Sequence, residues 1–391
     1  MGVYTEYLDK NMDFGSINAE RKRLLSTISR LRNNRDILVL ASDLTKNVNN
    51  SIEYSDLLPF QDQLSNLNGS EIDIIIETPG GFAEVVEDLA RLVRQKYQKV
   101  GIIIPGYSKS AGTIFAMAAD EILMGKISAL GPIDAQIATN GKRFSADAFL
   151  DGLEKIKEEV LSSGRLNPAY IPILQNISPG EIQHCENAQN FSRTLVTKWL
   201  SEFKFKYWTT HSSTGKPVTK EEKEKRASEI ATKLCKHSDW LTHGRSIKLQ
   251  DLQELRLQVT DYSEIPELDD AITRYYTLLR MTFESTNIYK LFETPNSQIF
   301  RFMLGGNLPI PNPILQPNNQ NEVAVIDFQC PNCKQHSKIQ ANIGKHSDTQ
   351  PGYIPYPLKN NIFICPACGA ANNISSIKIQ IEAQSGKKII E

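Results

Sequence analysis

The stretch 75-IIETPGGFAE-84 carries an apolar run straight into Pro-Gly-Gly, and 107-YSKSAGTIFAMAADE-121 repeats the device with Lys-Ser-Ala-Gly. In both, a strand-like segment hands over to a helix-like one. After the first corner, Phe82, Val85, Val86, Leu89, Leu92 and Val93 recur at helical spacing, which gives one apolar face opposite a charged one. After the second, residues 110–120 are small or apolar nearly all round, which predicts a buried helix. Working outward, 37-ILVLA-41, 72-IDIIIE-77, 100-VGIIIP-105 and 122-ILMG-125 read as buried strands. Their alternation with helices predicts an α/β fold, with a mostly parallel sheet flanked by helices.

The corners are also where chemistry is expected. A strand ending in Thr78-Pro79-Gly80-Gly81 can turn sharply and leave backbone N–H groups unpaired, because glycine accepts conformations closed to other residues and brings no Cβ into a cleft. Ser110 enters the following helix, so its hydroxyl can project beside a helix N-terminus. A carbonyl reacting there would set its oxygen against the amides of Gly81 and Ala111. The plainer reading is that Ser110, or Ser108 two residues earlier, merely caps the helix and Pro-Gly-Gly is a tight turn. Spacing alone leaves both readings open.

The chain has 391 residues, 40% of them hydrophobic, enough for a large core and a smaller unit. A net charge of −1 gives no support to a nucleic-acid or membrane-surface role for the whole chain. The N-terminus has no basic start with an apolar run, Glu6 stands where a myristoylation motif wants Ser or Thr, and no segment approaches about 18 apolar residues. A cytoplasmic protein without a membrane partner is expected.

The pattern divides the chain into an N-terminal helical segment (1–35), a core (36–262) with a charged helical insertion around 185–240, a C-terminal helical extension (263–303), a Pro/Asn-rich linker (304–325) and a small C-terminal unit (326–391). Ser16 is expected to cap a helix over 16–33, and Pro59 to interrupt helical periodicity in 54–67. Residues 266–292 read as an amphipathic helix, whereas 353–364 and 376–384 alternate as strands do.

Four of the six cysteines form two CxxC pairs, Cys330/Cys333 and Cys365/Cys368. Two such turns can bring four thiolates into a tetrahedron suited to structural Zn²⁺, so 326–391 is predicted to be a zinc-ribbon β domain. A closed four-cysteine site has no open position for catalysis, and His336 and His346 are not needed as ligands. Lys334, Lys338 and Lys345 with Tyr353, Tyr356 and Phe363 permit a nucleic-acid partner, and a protein partner is equally admissible. Cys185 and Cys235 read as buried thiols.

The combination ETPGG, KSAGTIFAMAADEILMG and SALGPIDAQ resembles the ClpP/crotonase superfamily, and within it the SDH proteinase or SppA-like serine proteases. The segment 243-HGRSI-247 is similar to the Gly-Arg segment that follows the catalytic half there, so the resemblance covers about residues 37–260. It implies a ClpP/crotonase-like core, a protein or peptide substrate, a ring-like or dimer-of-trimers homo-oligomer, Ser110 as nucleophile and Gly80 or Gly81 as source of an oxyanion amide.

A serine needs a base. Clp-type subunits draw a histidine from the loop after the nucleophile helix, but 126-KISALGPIDAQIATN-140 has none, and Asp134 is its only ionisable group after Lys126. The resemblance therefore points to a Ser-Lys dyad of signal-peptide-peptidase type, with Lys142 first, Lys155 next, Lys157 also eligible, and His243 behind them. The alternatives are a catalytically degenerate adaptor whose ribbon recruits protein or nucleic acid, and a crotonase-type acyl-CoA enzyme. No GxxxxGK[ST] loop occurs, so any unfoldase would be a separate chain.

Overall fold

The computed structural model describes residues 2–139, 141–211, 213–303, 323–385 and 387–390. Its core strands are β1 (Asp36–Ser42), β2 (Glu71–Glu77), β3 (Lys99–Ile104), β4 (Tyr107–Ser108), β5 (Glu121–Met124), β6 (Ala129–Leu130), β7 (Gln136–Thr139), β8 (Lys142–Ser145), β9 (Thr260–Asp261), β10 (Ile288–Glu293) and β11 (Gln298–Phe302). The main sheet runs β11-β10-β1-β2-β3-β5-β9. From β1 to β9 every pair is parallel, and β10 and β11 close one edge antiparallel.

Both faces of this sheet are covered, which is why its strands read as continuous apolar runs rather than alternating ones. Ile37, Val39, Ala41, Ile75, Ile103 and Leu123 face the helices Phe14–Leu31 and Pro266–Ser285. Leu38, Leu40, Ile74, Ile76, Ile102, Ile104 and Ile122 face the helices Leu57–Ser65, Ala83–Lys96 and Ala111–Met117. The helix Ala83–Lys96 lays down Val85, Val86, Leu89, Ala90 and Val93, the stripe expected from its periodicity. Full burial of each larger aliphatic contributes about 1.5–3 kcal/mol. The helix Ala111–Met117 is buried at every position, also as expected.

Several local expectations are corrected. Asp13, not Ser16, caps the helix Phe14–Leu31, its carboxylate accepting the Ser16 N–H at 2.7 Å. Pro59 does not break a helix: it sits in the first turn of Leu57–Ser65, where an N–H has no partner to lose. The helix expected over 266–292 stops at Ser285, and β10 and β11 follow, so the extension to 303 supplies two strands to the sheet. Its apolar spacing serves a strand as well as a helix.

The C-terminal unit begins at β12 (Val323–Gln329), antiparallel to β13 (His336–Ile343). Linker residues 304–322 lie outside the described residues. Between 353 and 364 only Ile354–Pro355 and Ile362–Ile364 are strands, and the strand expected over 376–384 is instead the helix Ser375–Ser385. Ile377 and Ile381 are both buried, and their four-residue separation fits a helix face as well as it fits strand alternation. Asn287 joins this unit to the core by a side-chain clamp on the Ala371 backbone, accepting its N–H at 2.6 Å and donating to its carbonyl.

Candidate active site

The two corners singled out in the sequence meet at the C-terminal edge of the parallel strands, the usual place for a site in such sheets. Thr78 donates its N–H to Tyr107 O at 2.8 Å and accepts the N–H of Lys109 at 3.0 Å, so the second corner continues the pairing of the first. Gly80 and Gly81 have φ of 107° and 152°, a region that L side chains rarely adopt. Space forbids a side chain as well. A Cβ on Gly80 would lie 2.6 Å from the Ser110 Cβ, and one on Gly81 would run into the Ile52 backbone.

Ser110 has φ 51° and ψ −119°, and its side chain makes no capping hydrogen bond to the helix it opens. A non-glycine residue held there stores strain of about 1–3 kcal/mol, kept only where the surroundings impose it. The simple-cap reading thus has no bond to rest on. Ser108 is fully buried in β4, its hydroxyl without a partner among the described residues, whereas Ser110 is half-buried beside Gly80.

Among the described residues, the N–H groups of Gly81 and Ala111 have no acceptor. The Gly80 N–H is engaged by Thr78 Oγ1 at 3.1 Å, so of the two glycines proposed as donors only Gly81 is free. Gly80 provides the close approach instead.

The loop after the helix runs back along Ser110. Gly131 donates to Thr113 Oγ1 at 2.9 Å, and Leu130 exchanges two 3.0 Å backbone hydrogen bonds with Ile247, drawing the segment 243-HGRSI-247 alongside. At the end of the loop Asp134 is buried. Its carboxylate lies 2.7 Å from His243 Nδ1 and 2.9 Å from His237 Nδ1, and accepts from Gln136 Nε2 at 2.9 Å. Burial alone would raise its pKa, but the hydrogen bond and charge of His243, helped by Ser145 and His237, hold it below the ordinary carboxylate value. An ionised carboxylate only accepts, so both imidazoles must present Nδ1–H to it, which leaves Nε2 of a neutral His243 with the lone pair.

The lysines expected as bases are all exposed: Lys142 on β8, and Lys155 and Lys157 on the helix Ala146–Ser163, where Lys157 pairs with Glu154 at 2.8 Å. Sequence reasoning places His243 behind them and misses His237. A usable signal exists, since a buried Asp134 requires partners and two histidines flank the segment 238-SDWLT-242.

The four C-terminal cysteines do converge. Their Sγ atoms lie within 4.8 Å of one another, with Cys330–Cys368 and Cys333–Cys365 each at 3.7 Å. Four ligands about 2.3 Å from a tetrahedral Zn²⁺ stand about 3.8 Å apart, so the donor set fits a metal ion of that size. Each CxxC closes with a turn, Lys334 N–H to Cys330 O and Gly369 N–H to Cys365 O, both at 2.8 Å.

Residues 62–178 match the family model described as ClpP-like SDH-type serine proteinase. The chain is 31% identical over 188 residues to the uncharacterized protein MJ1495 of Methanocaldococcus jannaschii, covering 48% of this chain and 51% of that one. It is 29% identical over 210 residues to MJ0137 of the same organism, 54% of this chain and 58% of that one. The chain therefore spans between half and three-fifths of the length of the curated relatives it matches. Among solved structures it is similar to a serine-to-alanine variant of the 1510-N membrane-bound stomatin-specific protease, with 24% identity, a TM-score of 0.22, and coverage of 29% of this chain and 60% of that one. It is also similar to a probable enoyl-CoA hydratase/isomerase from Mycobacterium abscessus, with 14% identity, a TM-score of 0.27, and coverage of 63% and 79%. Among the described residues no helix is long and apolar enough to cross a membrane.

Proposed function

We propose that this chain is a serine peptidase in which Ser110 is the nucleophile, His243 its base and Asp134 the group that orients the base. The observation that carries the reading is the buried Asp134 carboxylate 2.7 Å from His243 Nδ1, on a loop bonded to the helix that Ser110 opens. The match of residues 62–178 to ClpP-like serine proteinases supports the reaction class.

In this reading His243 Nε2 takes the Ser110 proton as Oγ bonds to the peptide carbonyl carbon. The carbonyl electrons move to oxygen, which the N–H groups of Gly81 and Ala111 stabilise. The C–N bond then breaks, the leaving amine takes the proton from His243, and water hydrolyses the acyl-enzyme by the same route. Asp134 stays ionised and holds the imidazole.

A lysine base is the competing assignment. It is disfavoured because Lys142 and Lys155 are solvent-exposed, whereas a base must be held within hydrogen-bond reach of the hydroxyl it deprotonates. The deciding test is hydrolysis of an unfolded protein substrate by four variants. Ser110→Ala should be inactive, His243→Ala slowed about 100-fold or more, and Lys142→Met and Lys155→Met close to wild type. Activity that survives His243→Ala but is lost in either lysine variant would replace the histidine with that lysine.

The ribbon belongs to the same reading. Its four cysteines would hold a structural zinc ion, and no step of hydrolysis passes through it. A homo-oligomer, a cytoplasmic location and a protein or nucleic-acid partner of the ribbon complete the proposal. Light scattering of the purified chain tests the first, and a strictly monomeric, active enzyme would remove it.

A further inference from the structure

Lys109, the residue before Ser110, turns its side chain into the protein. Its Nζ lies 3.0 Å from each of Leu130 O, Arg245 O and Ser246 Oγ. Among the described residues no carboxylate pairs with it. Partial burial, together with the nearby charge of Lys248, lowers its pKa to about 8. Lys248 itself is spent on the carbonyls of Ile127 and Ser128 at 2.9 and 3.0 Å. Half-burying a cation with no carboxylate beside it, only carbonyls, a hydroxyl and the Tyr107 ring 5.6 Å away, is unfavourable, so the arrangement calls for a reason beyond solubility.

The three contacts come from two parts of the site: Leu130 is on the loop that ends at Asp134, and Arg245 and Ser246 lie two and three residues after His243, while Lys109 itself precedes the nucleophile. Gly131 makes the crossing possible, since a Cβ there would stand 2.8 Å from Lys109 Cδ. The Leu130–Ile247 pairing ties loop and histidine segment to each other. Lys109 ties both to the turn that carries Ser110.

We propose that Lys109 is a positioning residue: its ammonium, held by the carbonyls of Leu130 and Arg245 and the hydroxyl of Ser246, sets the separation between the Ser110 turn and the Asp134–His243 pair. This rests on the serine–histidine reading above. Proton transfer between Ser110 and His243 needs hydrogen-bond reach, and a misplacement of about 1 Å costs about 100-fold in rate.

The test is phosphonylation of the full chain by an alkyl fluorophosphonate, separating the maximal rate from the half-saturating concentration. Lys109→Met keeps the length of the side chain and removes its donors. It should lower the maximal rate about 10–100-fold with half-saturation unchanged. Lys109→Arg, which keeps donors, should restore part of the loss. A folded Lys109→Met with the wild-type maximal rate overturns the proposal. If Lys109→Met does not fold, Ser246→Ala decides: a reduced maximal rate at unchanged half-saturation supports the proposal, and a wild-type rate overturns it. His243→Ala run in parallel separates the two ideas. A slow His243→Ala beside a wild-type Lys109→Met refutes the positioning role alone, whereas a wild-type rate in His243→Ala refutes the histidine reading and the Lys109 proposal with it.

Discussion

Glu77 closes β2 immediately before the Thr78–Gly81 turn and is almost wholly buried. Its carboxylate accepts the Tyr107 N–H at 2.7 Å and the Tyr276 hydroxyl at 3.0 Å. Burial raises its pKa from 4.5 to about 7 against the opposing effect of those two donors. The folded protein therefore binds more protons than the unfolded chain between these values, and stability falls as pH rises through the window. With about 1.4 kcal/mol per pH unit, and with unfolded glutamate already largely ionised at pH 5, the loss between pH 5 and pH 8 is about 2–3 kcal/mol. Glu77→Gln removes the titration, retains a carbonyl acceptor for the Tyr107 N–H, and turns the Tyr276 hydroxyl from donor to acceptor of an amide N–H. Its stability should be flat where the wild type declines, so that the variant is the more stable protein at pH 8. Urea unfolding followed by tryptophan fluorescence reads this cleanly, because Trp199, Trp208 and Trp240 all pack on the core. Parallel pH dependence in the two proteins would refute the argument.

Three further outcomes follow from the geometry. Gly80→Ala would place a Cβ 2.6 Å from that of Ser110 and 2.8 Å from Lys109 O, so fluorophosphonate labelling should slow by about 100-fold or more, and a wild-type rate would show that the turn can yield. Asp134→Asn puts an amide NH2 against one of the two histidines and removes the charge that fixes the proton on Nδ1. Hydrolysis should fall by about 100- to 10,000-fold, with zinc content by atomic absorption unchanged; unaltered hydrolysis would dismiss Asp134 as an orienting group. If the four cysteines hold a metal, chelation should make residues 323–390 sensitive to limited proteolysis while tryptophan fluorescence of the core holds, since so small a unit would rely on the ion as a staple. Equal cleavage with and without metal would mean that the cysteines are not a metal site.

The parallel sheet is legible because strands buried on both faces announce themselves as unbroken apolar runs, and Ile74–Ile76 and Ile102–Ile104 do so. The glycine turn and the buried helix after Ser110 are legible because glycine and small residues there answer local constraints. The antiparallel strands β10 and β11 are hidden, since 288-IYKLFE-293 continues the apolar spacing of the helix before it and only tertiary pairing, of β10 with β1 and of β11 with β10, decides the matter. The helix Ser375–Ser385 is hidden for the converse reason, as Ile377 and Ile381 fit either period. The histidine next to Asp134 stands more than a hundred residues away in the chain, and nothing in local spacing brings the two together. Resemblance directs attention toward lysines nearer in sequence, but those side chains are exposed.

The central claim is that the Ser110 hydroxyl is an activated nucleophile. It is tested most directly by treating the intact protein with a fluorophosphonate, digesting it and locating the adduct by mass spectrometry. A single phosphonyl group on Ser110, absent after heat denaturation and absent in His243→Ala over the same interval, is the expected result. An unlabelled protein, or an adduct on another residue with Ser110 untouched, would contradict it.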